Sequence, residues 1–179
     1  MSDEVRDDPA ALSEPMDEQR RALDAALSFL SYRPRTSQEV RRKLAERGYA
    51  EGTVEQTLGR LGQVGLVNDT AFVESYVRGR IAHRPMGVRR MADELYLKGI
   101  GRNESVPIIE QVFADERVDE RALAARAAEK RVSSLRNGRS GDRTVRRRLR
   151  DHLARRGFGV QIVGEAVDTW APHHSERNS

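Results

Sequence analysis

Residues Gly65–Ile100, GLVNDTAFVESYVRGRIAHRPMGVRRMADELYLKGI, decide the fold class. Asn68-Asp69 opens a helix, because an Asx side chain accepts from the free amides of a first turn and suits the positive helix end. Phe72, Val73, Tyr76, Val77 and Ile81 then recur at helical spacing and form a broad apolar face, with Arg78, Arg80 and Arg84 mostly off it. Arg84-Pro85-Met86-Gly87 breaks that helix. A second helix turns Val88, Met91 and Leu95 inward, carries Arg89 and Arg90 outward, and stops at Gly99. Nothing in the stretch points to chemistry on a small molecule.

The neighbours repeat this plan. Upstream, Leu23, Ala26, Leu27 and Leu30 fall on one helical face, and Tyr32-Arg33-Pro34-Arg35 ends that helix. Thr36-Ser37-Gln38-Glu39 reads as a capping box for a helix with Val40 and Leu44 inward, closed by Gly48. A third helix, near Gly52 to Val64, turns Val54, Leu58 and Leu61 to the core. Downstream of Gly99, a helix with Val106, Ile109 and Val112 must begin near Asn103 to Ser105, since Pro107 belongs in a first turn. An Ala-rich helix runs from near Val118 through Leu135, Asn137 to Gly141 forms a loop, and Asp142 to Arg156 is an arginine-dense helix with Val145, Leu149 and Leu153 inward. Val160, Val163, Val167 and Trp170 mark the last helix.

Aligned on Gly48, Gly99 and Gly157, each unit has leucine four residues earlier (Leu44, Leu95, Leu153). Eight residues earlier stand Val40, Met91 and Leu149. The intervals are 51 and 58 residues, a period that marks tandem repetition of one supersecondary unit. The expected fold is all-α, three tandem three-helix units of helix-turn-helix character, with no strand. The expected boundaries are a disordered acidic tail over residues 1–20, repeats over 21–66, 67–115 and 116–171, and a polar tail over 172–179.

Composition narrows the function. Only 37% of residues are hydrophobic and 5% aromatic, while 34% are charged, which is a thin core under a large charged surface. The chain has no cysteine, so disulfides, thiol nucleophiles and cysteine-ligated metals are excluded. No apolar run is long enough to span a membrane, and a polar, acidic start predicts no secretory signal. A cytoplasmic protein is expected. Phosphate-cradling glycine motifs and the G-x-S-x-G elbow are missing, and no histidine has a partner at metal spacing. No catalytic residue, cofactor or metal is therefore assigned, and the chain is not expected to be an enzyme.

Charge placement is the strongest functional signal. The net charge of +4 hides a split: Met1 to Gln19 holds seven acids against Arg6, whereas Arg126 to Arg156 holds twelve Lys/Arg against three Asp/Glu. The middle helix of each unit is basic: Arg41, Arg42, Lys43 and Arg47; Arg89, Arg90 and Lys98; then Arg143, Arg146, Arg147, Arg148, Arg150, Arg155 and Arg156. Stacked regularly, these would line up as a stripe suited to a phosphate backbone or an acidic protein groove. The plainer explanation is a solvated surface, with arginine stems covering core edges. Thr36 to Val67 also scans as a helix-turn-helix with Gly52 to Leu61 as recognition helix, which leaves an autonomous DNA-binding regulator as the alternative. A winged helix would require a hairpin after Val67, where a helical stripe stands instead.

The run Gly65-Leu66-Val67-Asn68-Asp69, with Phe72, Tyr76, Gly87, Arg89, Arg90, Glu94-Leu95 and Lys98-Gly99-Ile100, resembles the central repeat of the RecX family of regulatory proteins. Arg33-Pro34-Arg35-Thr36, Glu39-Val40 and Lys43-Leu44 resemble its first repeat. The likeness spans about Ala22 to Trp170 and weakens over the third unit. Asn68 departs from the aspartate frequent in the family, and the acidic N-terminal tail lies outside its pattern. The resemblance implies an elongated, curved array that lies in the groove of the RecA recombinase filament on single-stranded DNA. There it restrains ATPase and strand exchange, in the setting of recombination, repair and the SOS response. The implied partner is that filament, with direct contact to single- or double-stranded DNA left open, and the chain is expected to be a monomer. Charge and helix position nominate Arg89, Arg90, Lys98, Arg146, Arg147, Arg150 and Arg155 as contacts.

Overall fold

The computed structural model describes residues 9–136 and 142–170. They form α1 (Pro9–Leu30), α2 (Ser37–Glu46), α3 (Glu51–Gln63), α4 (Asp69–His83), α5 (Val88–Tyr96), α6 (Arg102–Asp115), α7 (Glu120–Arg136), α8 (Asp142–Arg155) and α9 (Val160–Trp170). No strand occurs among the described residues, and none of their helices is long and apolar enough to cross a membrane. The expected loop over 137–141 and tail over 172–179 lie outside the described residues.

The helices follow the three-unit plan. The aligning glycines Gly48, Gly99 and Gly157 have φ of 83°, 87° and 79°, the left-handed turn that ends a helix at least strain when the residue lacks a Cβ. Contacts divide the chain into two compact bodies that meet inside α4, Met1–Phe72 and Val73–Ser179.

In the first body, α1, α2 and α3 pack on one another around Val40, Leu44, Val54, Leu58 and Leu61. The capping box is present: Thr36 Oγ1 accepts from the Glu39 amide at 3.1 Å, and Glu39 Oε2 accepts from the Thr36 amide at 3.2 Å. Two expectations need correction. The spacing puts Leu27 on the inner face of α1, but it is 39% exposed; Ala22, Ala25 and Ala26 face the core, and such small side chains let two helices approach closely. The disordered tail over residues 1–20 is also too long, because α1 begins at Pro9. Glu18 accepts from the Ala50 amide and the Thr53 hydroxyl, both at 3.1 Å, so this carboxylate serves the start of α3, where N-cap Ala50 has no acceptor of its own. Residues 1–8 lie outside the described residues.

In the second body, α5 packs on α6, while α7, α8 and α9 pack mutually around Leu123, Val145, Leu149, Leu153, Val163 and Val167. Pro107 does not mark a first turn as expected. α6 starts at Arg102, with Glu104 accepting from the Gly101 amide, so the proline stands in the second turn. The amide it lacks would have served the carbonyl of Asn103, an exposed residue that water can satisfy.

Candidate partner-binding surface

Two long-range contacts at the helix starts decide which polar groups remain for a partner. Asn68 caps its own helix, accepting from the Ala71 amide at 2.9 Å. Asp69 does something the sequence did not suggest. Its carboxylate accepts from the Ser37 amide at 2.8 Å and the Ser37 hydroxyl at 2.5 Å, and so caps α2, the middle helix of the preceding unit. One repeat later, Glu120 at the start of α7 accepts from the Val88 amide, the first residue of α5, at 3.2 Å. Both contacts span 32 residues. The residue before α5 is Gly87, which has no side chain to cap with, so the next unit supplies the acceptor. Burial pushes the Glu120 carboxyl up, against the pull of that amide.

The same joint brings two backbones into contact. The Gly87 amide donates to the Arg156 carbonyl at 2.9 Å. A Cβ on Gly87 would overlap the Gly157 carbonyl oxygen, and one on Gly157 would lie 2.5 Å from the Arg90 Cβ and amide nitrogen. Glycine at both positions therefore permits the start of α5 to meet the end of α8.

The nominated residues divide into three groups. Arg146 is not outward. It is 8% exposed, its guanidinium reaches the Val167 carbonyl at 3.5 Å and Asp168 Oδ1 at 2.6 Å, and it joins α8 to α9 as a structural residue. Arg90 is half-exposed but tied to Glu94, at 3.0 Å. Glu94 also takes the Tyr76 hydroxyl at 2.5 Å and Arg80 at 2.7 Å, while the Arg80 guanidinium lies 4.7 Å from the Tyr76 ring centre. Burial alone would raise the Glu94 carboxyl, but Tyr76, Arg80 and Arg90 outweigh it and hold the group below the usual range. Burial and the Glu94 carboxylate together push the Tyr76 phenol up to about 12. Lys98, just past the end of α5, is half-buried and already engaged.

The third group is free. Arg89, Arg147, Arg150 and Arg155 are exposed and make no ion pair or hydrogen bond among the described residues. On α8, Arg143, Arg147 and Arg150 share one face at i, i+4, i+7, opposite the buried Val145, Leu149 and Leu153. Like charges so arranged repel one another, by about 0.2–0.5 kcal/mol per pair. The first unit differs. Arg41 pairs with Glu55 at 2.8 Å, Arg42 with Glu46 at 3.9 Å and Lys43 with Glu46 at 3.7 Å. The basic residues expected on all three middle helices are paired on α2 and uncompensated along the Arg143, Arg147 and Arg150 row of α8. The outer face of α3, the supposed recognition helix, carries Glu51 and Glu55, which a phosphate backbone would repel.

Sequence reasoning missed a cleft of about 490 Å³ in the second body, between the end of α4, α7 and α8. Arg84, Arg126, Lys130, Arg131, His152 and Arg156 line it, and none of its ten lining residues is acidic. Arg126 donates to the Ile81 and Ala82 carbonyls at 3.1 and 3.2 Å, and Arg156 to the Pro85 carbonyl at 2.6 Å. Burial, then Arg156, Arg131 and Arg155, push the His152 imidazole down to about 4, so it is neutral near pH 7. Burial and Arg84 lower Arg156 as well. The available signal was the basic run Arg126 to Arg156, which holds Arg126, Lys130, Arg131 and Arg156 but does not show that α7 and α8 bring them to one cleft.

Comparison with known proteins follows the same division. Residues 22–61 match the family profile described as RecX, first three-helix domain, and residues 68–104 that described as RecX, second three-helix domain. A protein of Prosthecochloris aestuarii named Regulatory protein RecX is 32% identical over 150 residues, covering 83% of this chain and 93% of its own length. One of Mycobacterium bovis with the same name is 36% identical over 159 residues, 89% of each chain. Among solved structures, a regulatory protein RecX superposes with a TM-score of 0.77 at 28% identity, over 92% of this chain and 80% of that one. RecX from Lactobacillus salivarius gives 0.71 at 25% identity, over 87% and 97%.

Proposed function

This chain belongs to the RecX family of regulatory proteins, and from that premise we propose that it binds the RecA filament on single-stranded DNA and restrains its ATPase and strand exchange. It acts by occupancy, without a catalytic step or a cofactor, as a monomer in the cytoplasm. The observation that carries the reading is the uncompensated basic face of α8, where Arg143, Arg147 and Arg150 lie in one row while the basic residues of α2 are already paired. A charged row without internal partners suits a polyanionic surface, and steers encounter as well as adding affinity. Arg89 on α5 and Arg155 at the end of α8 extend the same kind of surface. Arg90 and Lys98 serve the fold first, and Arg146 is withdrawn from the contact set.

A repeat array on a repeating filament also gains by multiplicity. Modest contacts from successive units add when their spacing matches the protomers, because the second contact forms at high effective concentration. The test is fluorescence anisotropy with the labelled chain, titrated separately with RecA assembled on a poly-dT strand, with RecA lacking DNA, and with bare poly-dT and bare duplex. Binding to the filament at least 10-fold tighter than to either RecA or bare DNA is expected, and Arg147→Glu with Arg150→Glu abolishes that preference. Equal affinity for filament and bare duplex would instead favour the DNA-binding regulator.

A further inference from the structure

We propose that the cleft between α4, α7 and α8 is a binding site for a chain of phosphates, either the backbone of a nucleic-acid strand or the polyphosphate of a nucleotide. This deepens the reading above by giving the second body a chemically defined anion site. It is tested without recombinase, so that either can fail alone.

The charge inventory comes first. Arg84, Arg126, Lys130, Arg131 and Arg156 bring five permanent cations to one cleft, and no lining residue is an acid. Two of them are already fixed in place. Arg126 spans the Ile81 and Ala82 carbonyls and Arg156 holds the Pro85 carbonyl, so the end of α4 orients their guanidinium groups before any ligand arrives. Arg84 and Lys130 are exposed, and their side chains make no hydrogen bond or ion pair among the described residues. The Arg131 Nε is buried with no hydrogen-bond partner among them.

Size and hydrogen-bond sense select the ligand. A volume of about 490 Å³ exceeds one small ion and fits several linked anionic groups. An acidic peptide carries carboxylates, but it also brings backbone N–H donors that need acceptors. The carbonyls that could have served, those of Ile81, Ala82 and Pro85, already accept from Arg126 and Arg156. The cleft offers donors almost exclusively, and a phosphate chain offers acceptors exclusively. His152 adds to the match: its imidazole is crowded by Arg131 of α7, Arg155 at the end of α8 and Arg156 just past it, and Arg84, just past α4, acts on Arg156. A bound phosphate would relieve that crowding and allow the ring to take a proton.

The test uses the full chain. Calorimetric titration with inorganic tripolyphosphate, and anisotropy with a labelled oligo-dT, are run on wild type, on Arg84→Gln with Lys130→Gln, and on Arg21→Gln with Arg60→Gln. The second pair removes the same charge from exposed positions of the other body. The cleft variant is expected to weaken tripolyphosphate binding at least 10-fold, and the control to stay within twofold. Saturation by oligo-dT as well assigns a nucleic-acid strand, and saturation by tripolyphosphate alone assigns a nucleotide; both support the site. In the wild type, the His152 ring resonances should titrate at a higher pH with tripolyphosphate bound. Equal weakening in both variants, oligoglutamate binding as tight as tripolyphosphate, or an unmoved His152 titration overturns the proposal.

Discussion

Replacing Gly87 by alanine tests the joint that holds the second body together. The backbone there, φ −75° and ψ 162°, suits alanine, so the added methyl is penalised by its surroundings alone. It would overlap the Gly157 carbonyl oxygen and lie 2.6 Å from both the Gly157 carbonyl carbon and Glu120 Oε1. Two of these three atoms are backbone and cannot swing away. Relief requires separating the start of α5 from the end of α8, which breaks the Gly87 amide bond to the Arg156 carbonyl, a loss of about 1 kcal/mol. It also draws Glu120 off the Val88 amide, about 1 kcal/mol as a helix cap, and residual overpacking adds about 1–3 kcal/mol. The lower unfolded-state entropy of alanine returns roughly 0.5–1 kcal/mol. The net expectation is destabilisation of about 3 kcal/mol, or on the order of 10 °C in Tm for a body of this size. Urea unfolding followed by circular dichroism and by Trp170 fluorescence reads it, since the only tryptophan stands on α9. Gly79→Ala is the internal control: that residue lies inside α4 with nothing within 4 Å of a Cβ, so alanine should stabilise by about 0.5–1 kcal/mol. Gly87→Ala as stable as wild type would refute the close-contact account of the joint.

Other perturbations separate structural from outward polar groups. Asp69→Ala removes both bonds to Ser37 and should lower stability by about 1–2 kcal/mol, more than an ordinary surface change, in chemical denaturation. Arg146→Ala should destabilise by about 1–3 kcal/mol, whereas Arg147→Ala stays within about 0.5 kcal/mol and weakens filament binding. Arg117 has φ 51° at the end of α6, where the first unit places Gly65, so Arg117→Gly should raise the urea midpoint by a stabilisation of about 0.5–1 kcal/mol. The folded His152 titrates near 4 against 6.5 for the free side chain, so between those values the unfolded chain binds more protons. Stability is then full above pH 6.5 and falls as pH is lowered toward 4; urea midpoints at pH 7 and pH 5 should differ less in His152→Gln.

Local signals survived into the structure and long-range ones did not. Thr36 and Glu39 form the box their spacing announces, because both partners lie within one turn. Gly48, Gly99 and Gly157 mark helix ends because a left-handed residue is a local demand. The sequence could say that Asn68-Asp69 caps something, but only the fold sends Asp69 to Ser37 and leaves Asn68 for its own helix. Composition alone puts Glu18 in a tail, since its partners at Ala50 and Thr53 come from another helix. Arg146 and Arg147 are adjacent and chemically identical; the position of Asp168 on α9 is what buries one and exposes the other. The cleft draws on α4, α7 and α8, and no window of sequence contains all three.

Restraint of the filament is read by steady-state ATP hydrolysis. RecA on single-stranded DNA is followed with the wild-type chain added to stoichiometry with recombinase, beside the Arg147→Glu, Arg150→Glu variant at the same concentration. A marked fall in the hydrolysis rate is expected with wild type, and recovery of most of it with the variant. A rate unchanged by stoichiometric wild-type protein would contradict that restraint.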